Sequence, residues 1–211
     1  MRILIGTTNP SKIRYFQTLL EGVPVEFVTP KDLGIEGDPD EYGHTPAQNA
    51  AIKADFYGQY ADTVICADSG LYYDSLPLDD PRQPGLHIRT PQGGKRLDDE
   101  EMIAYYTAQA HALGGAVLAY YMDGLALRTK GVTYTFQATR EEARAGAFYL
   151  LDRECAQRRE GWPLDSISMD TDKVSFLDPQ RGCIPQMKWA YRRRLRAFLL
   201  EHLGFEQEEE M

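Results

Sequence analysis

The opening sequence MRILIGTTNPSKIRYF restricts the fold of this chain more than any other segment does. Residues 2–5 are β-prone, the polar stretch GTTNPSK follows, and Pro10 is typical of the first residue of a helix. A strand that enters a helix through a small, hydroxyl-rich turn is a common way to present backbone N–H groups to an anion. Lys12 lies in the first helical turn, where a cation opposes the helix dipole. The segment therefore predicts either a phosphate site or an ordinary loop between a strand and a helix.

Strands and helices are predicted to alternate along the first half of the chain, with a hairpin in the middle. The predicted helices cover residues 11–21, 45–60, 98–113 and 185–203, and the predicted strands cover 23–28, 62–76, 116–128, 131–139, 147–151 and 164–169. The strand over 62–76 is expected to break at Asp68-Ser69-Gly70, because all three residues favour turns. This order predicts an α/β fold with a mixed sheet, in two lobes with a cleft between them.

Length, charge and cysteine content limit the class of protein. The 211 residues suit one domain of two lobes, expected over residues 1–205, and a solvated acidic tail over residues 206–211. The formal net charge of −9 argues against a general nucleic-acid binder, although a nucleotide enzyme needs only a local cluster of cations. Three separated cysteines (66, 155 and 183) form neither a zinc pattern nor a disulfide framework. No signal peptide or membrane span is predicted, so a cytoplasmic protein is expected.

Three polar segments and one lysine carry the residue types that phosphate chemistry needs. They are Thr7-Thr8-Asn9 with Lys12, Glu41 in an acidic loop, Asp68-Ser69-Gly70 within a strand pattern, and Lys53, one helical turn after Asn49. Two lysines and a turn of hydroxyl and amide groups suit a polyphosphate, and two carboxylates from separate segments suit Mg²⁺. A carboxylate is also needed to orient an attacking water molecule.

Each of these segments also has an ordinary structural explanation. Lysines usually lie on solvated helix faces, and Glu41 is one of several charges in a hydrophilic loop. Asp-Ser-Gly is a common turn sequence. The occurrence of all the segments in one chain is more informative than any one of them alone.

The order and spacing of these segments resemble the inosine/xanthosine triphosphate pyrophosphatase family. The resemblance is carried by TTNPSK (residues 7–12), EYGHTPAQNAAIKA (residues 41–54) and ADSGLYYDSL (residues 67–76). PGLHIR (residues 84–89), a Pro-Gly turn followed by a basic residue, is similar to the family's next element. The resemblance covers the chain up to about residue 90.

The resemblance implies a Mg²⁺-dependent enzyme that hydrolyses deaminated purine nucleoside triphosphates, such as ITP, dITP or XTP, to the monophosphate and pyrophosphate. It also implies an elongated α/β body of two lobes, a central mixed β-sheet flanked by helices, and usually a homodimer. At the matching positions, Glu41 and Asp68 bind the metal, and Asp68 and Lys53 are catalytic. The substrate is held by Thr7, Asn9, Lys12, Ser69 and Arg89.

The second half of the chain departs from the family pattern. The family commonly has two acidic residues before Ser-Gly, and the first of these positions is Ala67 here, which removes one potential metal or water ligand. The family's purine loop corresponds best to GWPLDS (residues 161–166), which keeps Trp162 and Asp165 as candidate substrate contacts. The family's Ser-His-Arg is not visible. MKWAYRRR stands in its place, with Lys188 as a candidate substrate contact or as part of a solvated basic helix face.

The phosphate and metal half of the expected site is therefore retained, whereas the half that reads the base is altered. Losing a donor that reads the base can change selectivity by orders of magnitude. The leading interpretation is a nucleoside triphosphate pyrophosphatase with a small-molecule nucleotide as partner, and no nucleic acid or membrane. The alternatives are a pyrophosphatase with a different base preference, a nucleotide-binding protein of the same fold that has lost turnover, and an interaction protein that keeps the motifs as relics.

Overall fold

The computed structural model describes residues 1–37, 39–155, 157–159, 162–178 and 186–205, with the backbone alone described at 186–190. The helices in these ranges are α1 (Pro10–Leu19), α2 (Pro46–Tyr57), α3 (Asp99–Ala112), α4 (Arg140–Arg144) and α5 (Gln186–Leu203). The strands are β1 (Arg2–Ile5), β2 (Glu26–Val28), β3 (Thr63–Tyr73), β4 (Ala116–Thr129), β5 (Val132–Gln137), β6 (Phe148–Leu151) and β7 (Ser168–Asp170).

The strands of the described residues form one seven-stranded sheet with the order β2-β1-β3-β4-β6-β7, and β5 pairs with β4. β1 is parallel to β2 and β3, whereas β4 is antiparallel to β5 and β6. The hairpin between β4 and β5 turns at Lys130 and Gly131, both of which have positive φ (51° and 77°). This combination of parallel and antiparallel pairs confirms the predicted mixed α/β sheet.

The chain divides into two compact units, and unit 1 comprises residues 1–69, 123–138 and 189–211. Side chains alternate between the two faces of its strands. Odd-numbered residues such as Ile5, Ile65 and Leu125 pack with residues of α1 and α5. Even-numbered residues such as Leu4 and Val64 pack with α2. Unit 1 therefore has a helical layer on each face of its part of the sheet.

Unit 2 comprises residues 70–122 and 139–188. Its core brings Leu71 of β3 and Val117 of β4 together with Tyr106 of α3 and Leu150 of β6. A 3₁₀ helix over Pro163–Ile167 closes this core, and every residue of that helix is buried.

The strand β3 continues without a break through Asp68-Ser69-Gly70, so the predicted interruption is wrong. Asp and Ser favour turns when their side chains bond to the nearby backbone. Here the Asp68 carboxylate instead contacts Asn49, and the Ser69 hydroxyl contacts Asp123. The extended backbone is therefore kept, because both side chains have partners that are distant in sequence.

The predicted strand over residues 164–169 is correct only at its end. The segment Pro163–Ile167 is a 3₁₀ helix, and β7 begins at Ser168. The hydroxyls of Ser166 and Ser168 donate to the carbonyls of Pro163 and Leu164, both at 2.7 Å, and these bonds favour a helical turn. The complete burial of this segment explains why its apolar pattern resembles that of a strand.

Several predicted elements were a few residues too long, and β2 and α2 show the reason. β2 begins at Glu26 rather than at residue 23, because Pro24 has no N–H to contribute to a strand ladder. α2 ends at Tyr57, before Gly58, rather than at residue 60. Glycine has a low helix propensity, which explains the earlier end.

Several sequence predictions lie outside what the structure describes. The acidic tail over residues 206–211, Cys183 and the side chain of Lys188 are not among the described residues. The division into one domain over residues 1–205 and a tail stays a prediction. None of the helices in the described part of the chain has the length and apolarity that a membrane span requires.

Candidate active site

The polar segment after β1 is a tight turn that leads directly into α1. The Thr7 hydroxyl accepts a hydrogen bond from the Asn9 N–H (3.2 Å), and the Asn9 carboxamide oxygen accepts one from the Ser11 N–H (2.9 Å). Asn9 is thus the N-cap of α1, and Pro10 is its first residue. Because the oxygen of Asn9 is engaged in the cap, this side chain offers its amide N–H groups to an anion.

This turn lies beside the middle of β3. The Gly6 N–H donates to the Ile65 carbonyl (2.8 Å), which places the following residues next to Ala67. A Cβ at position 6 would come within 2.4 Å of Cys66 Sγ and 2.6 Å of the Tyr57 ring. Glycine is therefore required at position 6, because the turn approaches β3 and α2 too closely for a side chain.

The buried Asp68 carboxylate lies on the α2 side of β3. Its Oδ2 accepts a 2.9 Å hydrogen bond from Asn49 Nδ2, and its Oδ1 lies 3.6 Å from Lys53 Nζ. The same Lys53 ammonium forms an ion pair with Glu41. Two carboxylates from different segments, Glu41 and Asp68, therefore meet at the Lys53 ammonium.

The loop that carries Glu41 is tied to the first turn of α2. The Asn49 side-chain oxygen accepts the Gly43 N–H (2.8 Å), so Asn49 links this loop to Asp68. The predicted N-cap is confirmed, because the Thr45 hydroxyl accepts from the Gln48 N–H (3.2 Å). The return bond of a capping box is made differently: Gln48 Oε1 accepts from the His44 N–H (2.7 Å). Sequence reasoning used Asn49 only to place Lys53 on the helix and missed its contact with Asp68.

The opposite face of β3 carries a second group of polar side chains. Lys12 Nζ, from the first turn of α1, donates to the Ala67 carbonyl (3.1 Å). The Ser69 hydroxyl donates to Asp123 Oδ1 (2.7 Å). Asp123 belongs to β4 and was missed in the sequence, where its only signal is a single acidic residue among the apolar residues of a long strand.

Charges on both faces of β3 affect the two lysines. Burial and the neighbouring Lys53 lower the pKa of the Lys12 ammonium below its ordinary value, although Asp68, Asp123 and Glu41 each act to raise it. For Lys53, burial acts to lower the pKa, but Asp68 and Glu41 outweigh it and the pKa is raised. Lys53 thus has its charge compensated by carboxylates, whereas Lys12 is the cation that a further anion would stabilise most.

Two of the predicted substrate contacts in unit 2, Arg89 and Asp165, form ion pairs within that unit. Arg89 Nη2 lies 2.9 Å from Asp99 Oδ1, and Arg159 Nη1 lies 2.8 Å from Asp165 Oδ2. Asp165 is buried, and Trp162 is half-buried just before the 3₁₀ helix. Thr7, Asn9, Lys12, Glu41, Lys53, Asp68 and Ser69 all lie in unit 1. The structure therefore places the phosphate-side and metal-side candidates in unit 1, and Arg89, Trp162 and Asp165 in unit 2.

The donor set in unit 1 fits a divalent cation of the Mg²⁺ type. Glu41 and Asp68 both lie beside the Lys53 ammonium, so this position already favours positive charge. Among the described residues, no three His, Cys, Asp or Glu side chains form a complete metal-binding group. Mg²⁺ is usually held by one or two carboxylates, and water molecules and substrate phosphates complete its shell. Two carboxylates are therefore sufficient for this ion.

Comparison with known proteins identifies relatives of this sequence. A sequence model of the Ham1 family matches residues 3–141. The chain is 39% identical over 89 residues to a dITP/XTP pyrophosphatase of Caldanaerobacter subterraneus, covering 41% of this chain and 42% of that protein. It is 30% identical over 101 residues to a dITP/XTP pyrophosphatase of Bacillus subtilis, covering 47% and 48%. The chain thus matches less than half of the length of these curated relatives.

Solved structures share the fold over nearly the whole chain. The Staphylococcus aureus Ham1 protein matches with a TM-score of 0.67 at 22% identity, covering 96% of this chain and 100% of that protein. A Coxiella burnetii HAM1 protein matches with a TM-score of 0.67 at 21% identity, covering 95% and 99%. At these identities the likeness shows the fold alone.

Proposed function

The chain belongs to the Ham1 family, and from this premise we propose that it hydrolyses nucleoside triphosphates to the monophosphate and pyrophosphate. The observation that supports this proposal most directly is the meeting of Glu41, Lys53 and Asp68, with Lys12 across β3. Two lysines and two carboxylates in one place are the parts that phosphoryl chemistry uses to position a substrate and spread its charge.

The phosphate groups are assigned to the turn after β1 and to the two lysines. Asn9 offers amide N–H groups, Thr7 a hydroxyl, and α1 the positive end of its dipole. Lys12 gains most from an anion, because its pKa is lowered in the protein alone. Lys53 contributes a second ammonium, held in place by Glu41 and Asp68.

Asp68 is assigned to the attacking water, and Glu41 and Asp68 to Mg²⁺. When bound, Mg²⁺ neutralises charge on the phosphate oxygens and helps to polarise the α-phosphorus. Asn49 fixes one oxygen of Asp68, and a carboxylate held in this way orients a water molecule without rearrangement. Attack of water oxygen on the α-phosphorus breaks the α–β phosphoanhydride, and pyrophosphate leaves.

We keep as candidate substrate contacts the other residues that the sequence predicted. Trp162 offers an aromatic face, Asp165 and Arg89 offer charged groups, and Lys188 begins a basic stretch of α5. The relatives are named dITP/XTP pyrophosphatases, and we propose dITP and XTP as substrates of this chain, together with ITP, which the resemblance of the sequence motifs implies. Ser69 as a substrate contact, a homodimer and a cytoplasmic location also stay proposals.

One observation favours a second candidate, a protein that binds nucleotides without turnover. Position 67 is Ala, so a carboxylate of the family pattern is absent from the sequence at this site. A protein of this kind keeps the lysines and the phosphate turn and therefore binds triphosphate, but it releases no pyrophosphate.

Pyrophosphate release with Mg²⁺ separates these functions. The assay compares ITP, dITP and XTP with the four standard triphosphates, with chelator as the metal-free control. We expect faster release from ITP, dITP or XTP than from ATP or GTP. Release from another nucleotide keeps the chemistry and rejects the base assignment, and binding without any release favours the second candidate.

A further inference from the structure

Gln137 is the last residue of β5, and its half-buried side chain bonds to the main chain of α2 and of β4. Gln137 Oε1 accepts a hydrogen bond from the Ala47 N–H of α2 (3.1 Å). Gln137 Nε2 donates to the Asp123 carbonyl of β4 (3.1 Å) and to the Ala138 carbonyl (3.4 Å). One side chain therefore ties the first turn of α2 to β4, although it belongs to none of the sequence motifs.

The bond to Ala47 adds to the N-terminal cap of α2. The first N–H groups of a helix have no partner within the helix. The Thr45 hydroxyl accepts from another N–H of this turn, and Gln137 supplies the acceptor for the Ala47 N–H from outside the helix. The same turn leads into Asn49, whose N–H donates to the Thr45 carbonyl (3.1 Å) and whose side chain donates to Asp68. A displacement of this turn therefore moves the group that orients Asp68.

The bond to β4 connects this turn to the segment that holds Ser69. Asp123 accepts the Ser69 hydroxyl with its carboxylate (2.7 Å) and Gln137 Nε2 with its carbonyl. Gln137 lies opposite Gly124 in the β4–β5 pair. Gly124 permits the close approach of β4 to α2, because a Cβ there would lie 2.1 Å from the Ala47 nitrogen. Thus α2 and β4 hold adjacent residues of β3, and the Gln137 side chain spans the contact between α2 and β4.

A second link between β5 and α2 lies at the last turn of the helix. The Thr133 hydroxyl donates to Asp55 Oδ1 (2.6 Å) and accepts from Arg128 Nη1 (3.2 Å). Thr133 and Gln137 are four residues apart in β5, so their side chains project from the same face of the strand. Both side chains thus bond to α2, but of these two links it is the one from Gln137 that reaches the turn before Asn49.

We propose that Gln137 is a positioning residue of the nucleotide site, which acts through Asn49 on the orientation of the Asp68 carboxylate. Its side chain fixes the first turn of α2 against β4, and Asn49 transmits this position to the carboxylate that we assign to the attacking water. The inference rests on the proposed function. Because misplacement of a reacting group slows the chemical step without weakening uniform binding of the substrate, the effect belongs to kcat.

The first test compares Gln137→Met with Thr133→Val in pyrophosphate release from the best substrate at saturating Mg²⁺. Methionine keeps the length of the glutamine side chain and removes its donor and acceptor, and valine keeps the shape of threonine and removes its hydroxyl. For Gln137→Met we expect kcat to fall on the order of tenfold and KM to change less than about twofold, because the phosphate turn and Lys12 belong to other segments. For Thr133→Val, which also breaks a link to α2, we expect the kcat and KM of the unaltered protein.

A second test follows the Asn49–Asp68 contact without turnover, through the side-chain amide signals of Asn49 in proton–nitrogen correlation spectra of the full-length protein. In Gln137→Met we expect these signals to move towards those of a free amide, and in Thr133→Val we expect them to stay in place. If Gln137→Met does not fold, Gln137→Ala replaces it, because the smaller side chain leaves room for water to reach the freed main-chain groups.

The inference is overturned if Gln137→Met leaves the kcat of an active protein or the Asn49 signals unchanged, if its KM rises as much as its kcat falls, or if Thr133→Val has the same effects. A protein that releases no pyrophosphate, yet whose Asn49 signals depend on Gln137 and not on Thr133, contradicts the proposed function and supports the positioning of Asp68 by Gln137. An active protein in which Gln137→Met alters neither measurement gives the reverse result.

Discussion

Asp68 has two oxygens with different partners, and this difference defines its proposed role. Asn49 donates to Oδ2 at 2.9 Å, whereas the Lys53 ammonium lies 3.6 Å from Oδ1. The first contact fixes the direction of the carboxylate, and the second provides a cation nearby. Asn49 is 2% exposed, so its contact with Asp68 is made away from competing water. The carboxylate is therefore oriented before any substrate arrives.

Asp68→Asn should remove turnover while leaving the fold in place. Asparagine keeps the shape of the side chain but cannot accept a proton from water, and loss of a general base typically costs 10²–10⁴-fold in rate. Pyrophosphate release and nucleotide binding are measured on the same preparation, with Asp55→Asn as the control for the change in charge. Unchanged turnover in Asp68→Asn removes Asp68 from the catalytic role.

Lys12 should give triphosphate binding an alkaline limit. The ammonium is charged below its pKa, and burial lowers this pKa from the ordinary value of a lysine, so affinity should be lost as the pH rises through the lowered pKa. Lys12→Arg should move the limit to higher pH, because a guanidinium stays protonated. Lys12→Ala should raise KM about 10- to 100-fold, which corresponds to losing a hydrogen bond to a charged group. The measurement is KM against pH for the three proteins, and identical profiles would refute the role of Lys12.

At the scale of elements, α2 holds the two carboxylates of the site in place through Asn49 and Lys53, and its N-terminal turn packs closely on two other segments. A Cβ at Gly43 would lie 2.6 Å from Asn49 Oδ1 and 2.9 Å from the Asn49 nitrogen. A Cβ at Gly124 would lie 2.1 Å from the Ala47 nitrogen. The absence of both side chains lets the Glu41 loop and β4 approach the first turn of α2.

Gly43→Ala should reduce activity more than stability. The added methyl displaces the exposed loop and so moves Glu41 away from Lys53, while the core of unit 1 is unchanged. The comparison is His44→Ala, which changes the neighbouring exposed residue without adding a methyl against α2. If Gly43→Ala and His44→Ala have the same kcat/KM, the loop position has no role in the reaction.

Gly124→Ala should reduce stability as well as activity. The methyl would collide with the backbone of α2, and overpacking of this kind typically costs 1–3 kcal/mol. Urea unfolding of Gly124→Ala and Gly43→Ala, side by side, measures the difference. A larger loss of unfolding free energy in Gly43→Ala than in Gly124→Ala contradicts the packing described for these two glycines.

At the scale of the whole molecule, the negative net charge and the local lysines act on the substrate in opposite ways. The chain carries a formal charge of −9, yet Lys12 and Lys53 both lie beside the middle of β3, where we propose that the phosphates bind. Under the proposed function, a triphosphate binds to a local cationic group within an acidic protein. Mg²⁺ reduces the remaining repulsion, so binding should depend on it.

Binding of triphosphate should stabilise the whole protein in a metal-dependent manner. At a ligand concentration of about 100 times Kd, a ligand that binds only the folded state adds about 2.7 kcal/mol to the unfolding free energy. Thermal unfolding is followed with Mg²⁺ and a triphosphate whose α–β bridging oxygen is replaced by methylene, and repeated with chelator. Equal Tm with and without this nucleotide supports the alternative of an interaction protein that keeps the motifs as relics.

The amino-acid sequence alone determined the features that depend on near neighbours. The Thr45 cap, the β4–β5 hairpin and the mixed α/β class were all predictable, because caps, turns and periodicity arise from residues a few positions apart. The resemblance to family motifs implied that Glu41, Lys53 and Asp68 belong to one site, but it did not predict that the Lys53 ammonium lies beside both carboxylates.

Only the tertiary structure decided which polar residues contact the side chains of β3. Ser69 and Asp123 are 54 residues apart, and their contact exists because β3 and β4 are neighbours in the sheet. The same contact, with that of Asn49 to Asp68, keeps Asp68-Ser69-Gly70 extended where local preference favours a turn. Local sequence preferences are weak compared with buried hydrogen bonds between distant residues, so the continuous strand and the position of Asp123 could not be predicted from the sequence.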